Sequence, residues 1–482
     1  MQQGTPSFLW GQYSDSGWWY YFPAAFLLKT PLPSLLLLAG AVLLALRGRP
    51  GKLGQHTAVT LSALLIPSLG YFAIALTTDI NLGYRHILPV LPFLFVFVAA
   101  VMNPPRPFRA QNLRFIFPAA MVGWLALITI TIYPHFLAYF NALAGGPDGG
   151  WRYLVDSNLD WGQDLGGLKD WMDENSVEQV WLSYFGEGRP SYYNINFIGL
   201  DSWPPRLMNP QARPFYPHNP APGIYAISAT NLQGVHFANH EQFAWFRDQE
   251  PLAKIGYSIF LYEVLPHGPP TDVVLAGIQL DEIAPEDFAR FQTNQVTPRW
   301  LNSGKAFLQP VAEDFWLVVG KGVELGLVDM AVSRQQIAEN EQYMLFSAIL
   351  IEPIPQAGWL FGLHDFETTL LDVPFGLIVN DGTIQLTTRW RNETGPVPLK
   401  IYVHLLDESD QIVAQWDGLD VAWEGWRTGD ILWQQHEIPL PPDLPTGQYE
   451  LRMGLYDPET GDRWQTAAGA DYLLLDTLVI GP

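Results

Sequence analysis

The first 134 residues carry apolar runs so long and so closely spaced that a water-soluble core has little room for them. Leu35 to Leu46, Thr57 to Leu76, Ile87 to Met102 and Phe115 to Tyr133 each read as a membrane-crossing segment. The first of these, extended back through Pro33 to Thr30, approaches the ~20 residues that a helix needs to span a bilayer. Pro67 breaks the second. Trp18 to Leu28, opened by Gly17-Trp-Trp-Tyr-Tyr-Phe-Pro, is too short to span and has the Trp/Tyr composition of an interfacial anchor.

Charge divides the chain at the same place. Up to residue 145 there are eight bases (Lys29, Arg47, Arg49, Lys52, Arg85, Arg106, Arg109, Arg114) against Asp15 and Asp79, a balance of +6. The whole chain stands at −22, so the remainder carries −28. Such an asymmetry points to two environments, and the acidic half excludes nucleic acid as a partner. The absence of cysteine removes disulfides, thiolate nucleophiles and Cys-ligated zinc. Met1-Gln-Gln-Gly-Thr-Pro is not the basic start of a signal peptide. Arg47–Lys52 and Arg106–Arg114 form two basic loops on one side, which the positive-inside rule assigns to the cytoplasm. Four spans then put everything after Pro134 outside.

Two polar features of this block call for a partner. Lys29, before Thr30-Pro31, reads either as a lysine snorkelling from a helix end or as a cation beside a lipid phosphate. Gly83-Tyr-Arg-His-Ile-Leu-Pro opens the third span, and its Arg85 and His86 read either as interfacial anchors or as ligands for an anion. The second reading has physical support, because a helix start favours an anion and an arginine there is otherwise misplaced.

The aromatic Gly17–Pro23 run leading to Leu27-Leu-Lys-Thr-Pro-Leu-Pro, followed by Arg85-His-Ile-Leu-Pro-Val-Leu-Pro, resembles the C-terminal half of polyprenyl-phosphate-dependent glycosyltransferases. The relatives in view are the protein O-mannosyltransferase and aminoarabinose-transferase superfamily, whose membrane fold is called type C. Asn158-Leu-Asp-Trp-Gly-Gln-Asp-Leu resembles the segment after the last span in large bacterial members, and the likeness covers about residues 8–265. It implies transfer of a sugar from a polyprenyl phosphate to an acceptor on the external face. It places Tyr84, Arg85 and His86 near the carrier phosphate, with Lys29 as a looser match. The family's catalytic acid lies in an acidic pair after the first span, and upstream of residue 145 this chain has only the isolated Asp15 and Asp79. The catalytic residue is therefore unassigned, and three readings stay open: an N-terminally truncated fragment, a chain working with a separate N-terminal subunit, or a protein that is not an enzyme.

After the Gly145–Gly150 loop comes the densest polar stretch of the sequence: Asp156, Asn158, Asp160, Gln163 and Asp164, with Trp161 and Gly162 between them. Trp161 to Met172 has helical spacing, so Asp160 and Gln163 read as a capping box. The functional alternative makes these five residues contacts for a sugar or acceptor, and no spacing matches a metal loop. Arg152–Val155, Val180–Phe185, Gly223–Ser228 and Tyr257–Val264 read as strands and His240–Asp248 as a helix. The Pro-rich Trp203–Pro222 stretch, with Arg206, Arg213 and His218, is a lid or a plain connection. Beyond His267, Val273–Ile278 and Phe315–Val319 read as strands and Pro285–Phe291 as a short helix, while Val323–Pro355 is ambiguous, with Met330–Leu345 compatible with a helix and Phe346–Ile351 with a strand. From Gly358 onward short alternating runs with turn signals suggest a sandwich. Its Trp390, Trp416, Trp423, Trp426, Trp433 and Trp464 serve core packing or sugar stacking.

The expected fold is multidomain: an α-helical membrane bundle of about four spans (1–134), an external α/β domain (135–266), a small α/β or α+β module (267–357) and a C-terminal antiparallel β-sandwich (358–482). The expected function is the C-terminal part of a cell-membrane glycosyltransferase using a polyprenyl-phosphate-linked sugar, with no metal or other cofactor and with its C-terminal domains outside the cytoplasm. The alternative is a membrane-anchored protein that binds an envelope glycan through its sandwich.

Overall fold

The computed structural model describes residues 5–47, 55–102, 111–205, 212–351, 358–364, 366–372, 377–380 and 382–480. Arg49, Lys52, Arg106, Arg109 and Arg206 lie outside them, so both basic loops are only partly described. Contacts divide the chain into two compact units, Met1–Met208 with Gly223–Val264, and Asn209–Pro222 with Leu265–Pro482.

The first unit opens with a hairpin, β1 (Ser7–Leu9) and β2 (Gln12–Ser14), turned by Trp10 and Gly11 at positive φ. Helix α1 (Tyr21–Lys29) ends where Thr30 is extended ahead of Pro31, and α2 (Leu32–Arg47) leaves at 112° to it. Helix α3 (Gln55–Ala75) runs through Pro67 without a break, contrary to the expectation. Neighbouring side chains compensate in such helices, and here the Ser68 hydroxyl bonds back to the Leu64 carbonyl at 2.6 Å. A 3-10 turn, Tyr84–Val90, leads into α4 (Leu91–Met102), and α5 (Gln111–Ile132) follows. Among the described residues, one helix, Tyr84–Val101, is long and apolar enough to cross a membrane, and the bent α1–α2 pair is a second candidate. Ser62–Ala75 and Ile116–Ile132 are shorter apolar stretches. Leu46, Ile66, Ile74, Phe95, Leu127 and Ile130 leave their side chains exposed around these helices.

A five-stranded mixed sheet completes this unit, with β3 (Val180–Ser183) between β4 (Phe197–Gly199) and β5 (Gly223–Ser228) in parallel, and β6 (Ala253–Ile255) and β7 (Ile259–Val264) antiparallel beyond. Leu165, Leu168 and Met172 of α6 (Leu165–Glu174) pack on Val180, Leu182, Ala226 and Leu261. Their one-face spacing is why this helix forms. Arg152–Val155 is not a strand, since Tyr153 and Leu154 turn back on Gly150, and the expected His240 helix is only Ala244–Arg247.

The second unit holds a mixed five-stranded sheet of β8 (Thr271–Ala276), β9 (Val296–Leu301), β11 (Asp314–Gly320), β12 (Val332–Glu339) and β13 (Tyr343–Leu350). The intervening strand β10 (Ala306–Gln309) pairs instead with Ile431–Pro439 at the edge of a seven-stranded antiparallel sheet. A four-stranded antiparallel sheet, centred on Lys400–Leu406 and Gly447–Tyr456, shares its core: Trp390, Leu432 and Phe361 of one sheet cluster with Ile401, Val403 and Leu451 of the other. The same cluster takes in Val274, Leu317 and Val319, so the boundary drawn at 357/358 runs through one hydrophobic core. Met330–Leu345, compatible with a helix by sequence, is mostly strand, because β12 and β13 pair with each other and β13 with β11. Trp390, Trp426, Trp433 and Trp464 are buried, which assigns them to packing.

Candidate functional site

The polar stretch after residue 155 folds back onto the mouth of the most apolar helix. Asp156 adopts φ +56°, a left-handed conformation that Asp tolerates better than most residues. The turn that follows delivers Asn158 into the interior. There the Tyr84 N–H donates to Asn158 Oδ1 at 2.9 Å, and Asn158 Nδ2 donates to the Tyr21 hydroxyl at 2.8 Å. Ser157 donates to the Leu82 carbonyl, and Gly83 sits so close that a Cβ there would fall 2.5 Å from Ser157 Oγ. Tyr84 reaches α1 as well, its hydroxyl 2.8 Å from Thr30 Oγ1. Three segments far apart in sequence are thus held together at one point.

Arg85 projects from this knot. It is exposed, makes no hydrogen bond or ion pair among the described residues, and lies 4.6 Å above the Trp161 ring. Cation and ring thus form a flat-sided platform with free guanidinium edges. Beside it, His86 Nε2 is buried without a hydrogen-bond partner, and its ring meets Phe22 edge-on at 6.3 Å. Lys29 behaves differently. It is 8% exposed, donates to the Leu137 carbonyl at 2.7 Å and to the Asn158 carbonyl, and sits over the Phe140 ring. It is neither a snorkelling head group nor a free cation; it cross-links α1 to the polar stretch. Of the four residues that the resemblance groups near a carrier phosphate, Tyr84, Arg85 and His86 share one 3-10 turn, while Lys29 lies behind it on the Asn158 carbonyl.

The capping box expected at Asp160 and Gln163 is absent. Asp160 Oδ1 accepts from Gly162 N at 2.9 Å and Gln163 Oε1 from Trp161 N at 2.8 Å, closing a tight turn with Gly162 at φ +71°. The helix therefore begins only at Leu165. Asp164 takes 2.6 and 3.0 Å bonds from Ser258 and Gln163, with His135 at 3.7 Å. Asp160 is 0% exposed, and its Oδ2 has no well-formed hydrogen bond. Burial pushes its carboxyl well above the usual range, and the negative charges of Asp164 and Asp156 add to this against the Gly162 N–H and the Ser228 hydroxyl. Burial thus favours the neutral, protonated form of Asp160.

That protonation state makes stability depend on pH. A carboxyl whose pKa is raised on folding stabilises the fold while both states are protonated. The contribution is lost as pH rises from the unfolded value near ~4 toward the folded one, at no more than about 1.4 kcal/mol per pH unit. Asp160→Asn stays neutral throughout, so its melting temperature should overtake that of the wild type progressively as the pH rises above about 4. Parallel melting curves across that range would put Asp160 in contact with water.

One partner escaped the sequence reading. His236 Nε2 lies 2.9 Å from Asp156 Oδ2, and its ring is stacked between Phe185 at 5.7 Å and Trp203 at 5.0 Å. A carboxylate at that distance fixes the orientation of the imidazole ring. Residues 156 and 236 are joined by no local motif, so only the fold could pair them. No cluster of His, Asp and Glu suited to a metal occurs among the described residues. Compared with known proteins, the chain matches no family model and no curated protein with significance.

Proposed function

We propose that this chain forms the carrier-phosphate side of a membrane glycosyl-transfer site, holding a polyprenyl-phosphate-linked sugar while the sugar passes to an acceptor at the external face. The observation that carries this reading is the unpaired Arg85 guanidinium, presented on Trp161 at the head of an apolar helix, next to the orphaned His86 Nε2. An anionic oxygen there would satisfy the Arg85 guanidinium. In a transfer reaction a cation such as Arg85 stabilises the charge that builds on the departing phosphate, and His236, held by Asp156, is the base we assign to take a proton from an acceptor hydroxyl.

A place for the carrier's tail lies in the same unit. A cavity of about 550 Å³ runs between Pro23 and Phe26 of α1, Val42 of α2, Phe72 of α3 and Val90 and Phe97 beyond the Tyr84 turn. Its one polar side chain, Ser68, is turned to its own helix. The two elements bonded through Thr30 and Tyr84 thus also wall an apolar slot. The same proposal puts the chain in the cell membrane as a multi-pass protein, with the acidic remainder on the outer side by the positive-inside rule; the exposed apolar side chains around α2–α5 fit a lipid surrounding. The glycan-binding alternative has less support, because four of its six tryptophans are core residues.

The test is lipid binding by the purified chain in nanodiscs. Polyprenyl phosphate should bind and compete with its sugar-linked form, while the uncharged polyprenol binds at least about 10-fold more weakly, the loss expected for one charge-assisted contact. Equal affinity for phosphate and alcohol would overturn the proposal.

A further inference from the structure

A second cavity in this unit, of about 460 Å³, is separate from the Arg85 platform in its lining. Among the described residues it is lined by Tyr184, Gly186, Gly188, Arg189, Ser191 and Pro204, with two apolar neighbours. A volume of that order suits a monosaccharide-sized ligand. Its wall is built rather than accidental. The Tyr184 hydroxyl donates to the Gly162 carbonyl at 2.6 Å, and a Cβ on Gly162, Gly186 or Gly188 would come within 2.1 to 2.8 Å of that same hydroxyl. Three glycines therefore leave room for the phenol and fix the loop around it. Opposite, Gly186 N–H donates to the Trp203 carbonyl at 3.0 Å and Trp203 N–H to the Tyr184 carbonyl at 3.2 Å, which anchors Pro204 at the rim.

Two side-chain donors of this lining, Arg189 and Ser191, make no hydrogen bond among the described residues. In the same unit Arg85 and Arg152 lie over tryptophan rings and Arg247 pairs with Glu241. Arg189 has neither ring nor carboxylate among the described residues, and the Ser191 hydroxyl makes no hydrogen bond. Among the described residues no carboxylate lines the cavity, although the chain beyond residue 145 carries a net −28. In so acidic a setting, an unpaired guanidinium and a free hydroxyl at the mouth of a rigid, glycine-edged cavity form an anion receptor.

We propose that the Tyr184–Ser191 cavity binds a small hydroxylated anion, a carboxylate or phosphate ester of a sugar, with Arg189 holding the charge and Ser191 a second oxygen. The site stands whether or not Arg85 binds a lipid phosphate, because the two share no residue.

Calorimetric titration of the full chain with glucuronate, glucose 6-phosphate and neutral glucose tests this. At least one of the two anions should bind, with glucose at least about 10-fold weaker. Binding of glucuronate alone identifies a carboxylate site and of glucose 6-phosphate alone a phosphate site. Arg189→Ala should weaken the bound anion by about 10- to 100-fold, and Arg189→Lys by less, since an ammonium cannot reproduce the fork. Ser191→Ala should have a smaller effect in the same direction. The Arg189 side chain makes no hydrogen bond or ion pair among the described residues, so its variants should melt with the wild type and retain lipid binding at Arg85. Glucose binding as tightly as both anions, unchanged affinity in Arg189→Ala, or no binding of either anion at millimolar concentration would each overturn the assignment.

Discussion

Arg85→Ala should weaken polyprenyl-phosphate binding by roughly 10- to 150-fold, the effect of losing charge-assisted contacts of about 1.5–3 kcal/mol at about 1.4 kcal/mol per tenfold. The geometry makes the loss specific. The Arg85 side chain makes no hydrogen bond or ion pair among the described residues and only stacks on Trp161, so its removal strands no buried polar group and the fold should hardly register it. Arg85→Lys should recover part of the affinity, because a point charge keeps the attraction but loses the planar fork and its stacking on Trp161. Trp161→Ala removes only that platform, worth about 0.5–1 kcal/mol at an exposed site, and should cost about 2- to 5-fold. Lys29→Ala separates positioning from binding. It strips the Leu137 and Asn158 carbonyls of their donor and should lower the melting temperature as well as affinity. Affinity measured in nanodiscs alongside melting curves distinguishes the two patterns, and equal lipid affinity in wild type and Arg85→Ala would reduce Arg85 to an interfacial anchor.

How much of this site was legible beforehand depended on the range of each interaction. The polar density from Asp156 to Asp164 and the Tyr84–His86 turn are local facts of sequence, and both take part in the knot. Their union through Asn158 crosses 74 positions, and no spacing rule could supply it. His236 was invisible for the same reason, since its two ring neighbours and its carboxylate come from three other segments. The capping motif misled because a local pattern fits two geometries. Gly162 permits a left-handed turn, and once Asp160 and Gln163 close that turn the helix starts later.

The fold divides in a similar way. Period and length identify the apolar helices and most strands, and the antiparallel pattern after residue 358 is read correctly from alternation and turns. Gln335, Gln336, Ala338 and Glu339 favour a helix by propensity, yet β13 offers a ladder that they complete as an exposed edge. Tertiary pairing outweighs a propensity difference of a few tenths of a kcal/mol per residue. Strand β10 shows the limit most clearly. Its sequence neighbours belong to one sheet and its hydrogen bonds to another.

The same joint predicts the largest stability loss in the second unit. Arg299, on β9, gives a two-pronged contact to Asp430, with Nε to Oδ2 at 2.7 Å and Nη2 to Oδ1 at 2.9 Å, while Nη1 reaches Asp272 at 2.6 Å. Asp430 is completely buried in the loop before Ile431–Pro439, with the Arg427 N–H as a further donor. Arg299 therefore ties the mixed sheet to the antiparallel sheets through a carboxylate that water does not reach. Arg299→Ala leaves that carboxylate buried without its counter-charge and should destabilise the unit by about 3–5 kcal/mol, a large part of an ordinary domain's 5–15 kcal/mol. Replacing both partners, as in Arg299→Met with Asp430→Leu, removes the charge together with its need for a partner. The pair should then cost clearly less than the sum of the single changes. Denaturant unfolding of the full chain, followed by fluorescence of the buried tryptophans, gives the comparison. Additive costs, or a loss below about 1 kcal/mol for Arg299→Ala, would mean that the pair is screened like a surface bridge and does not join the two layers.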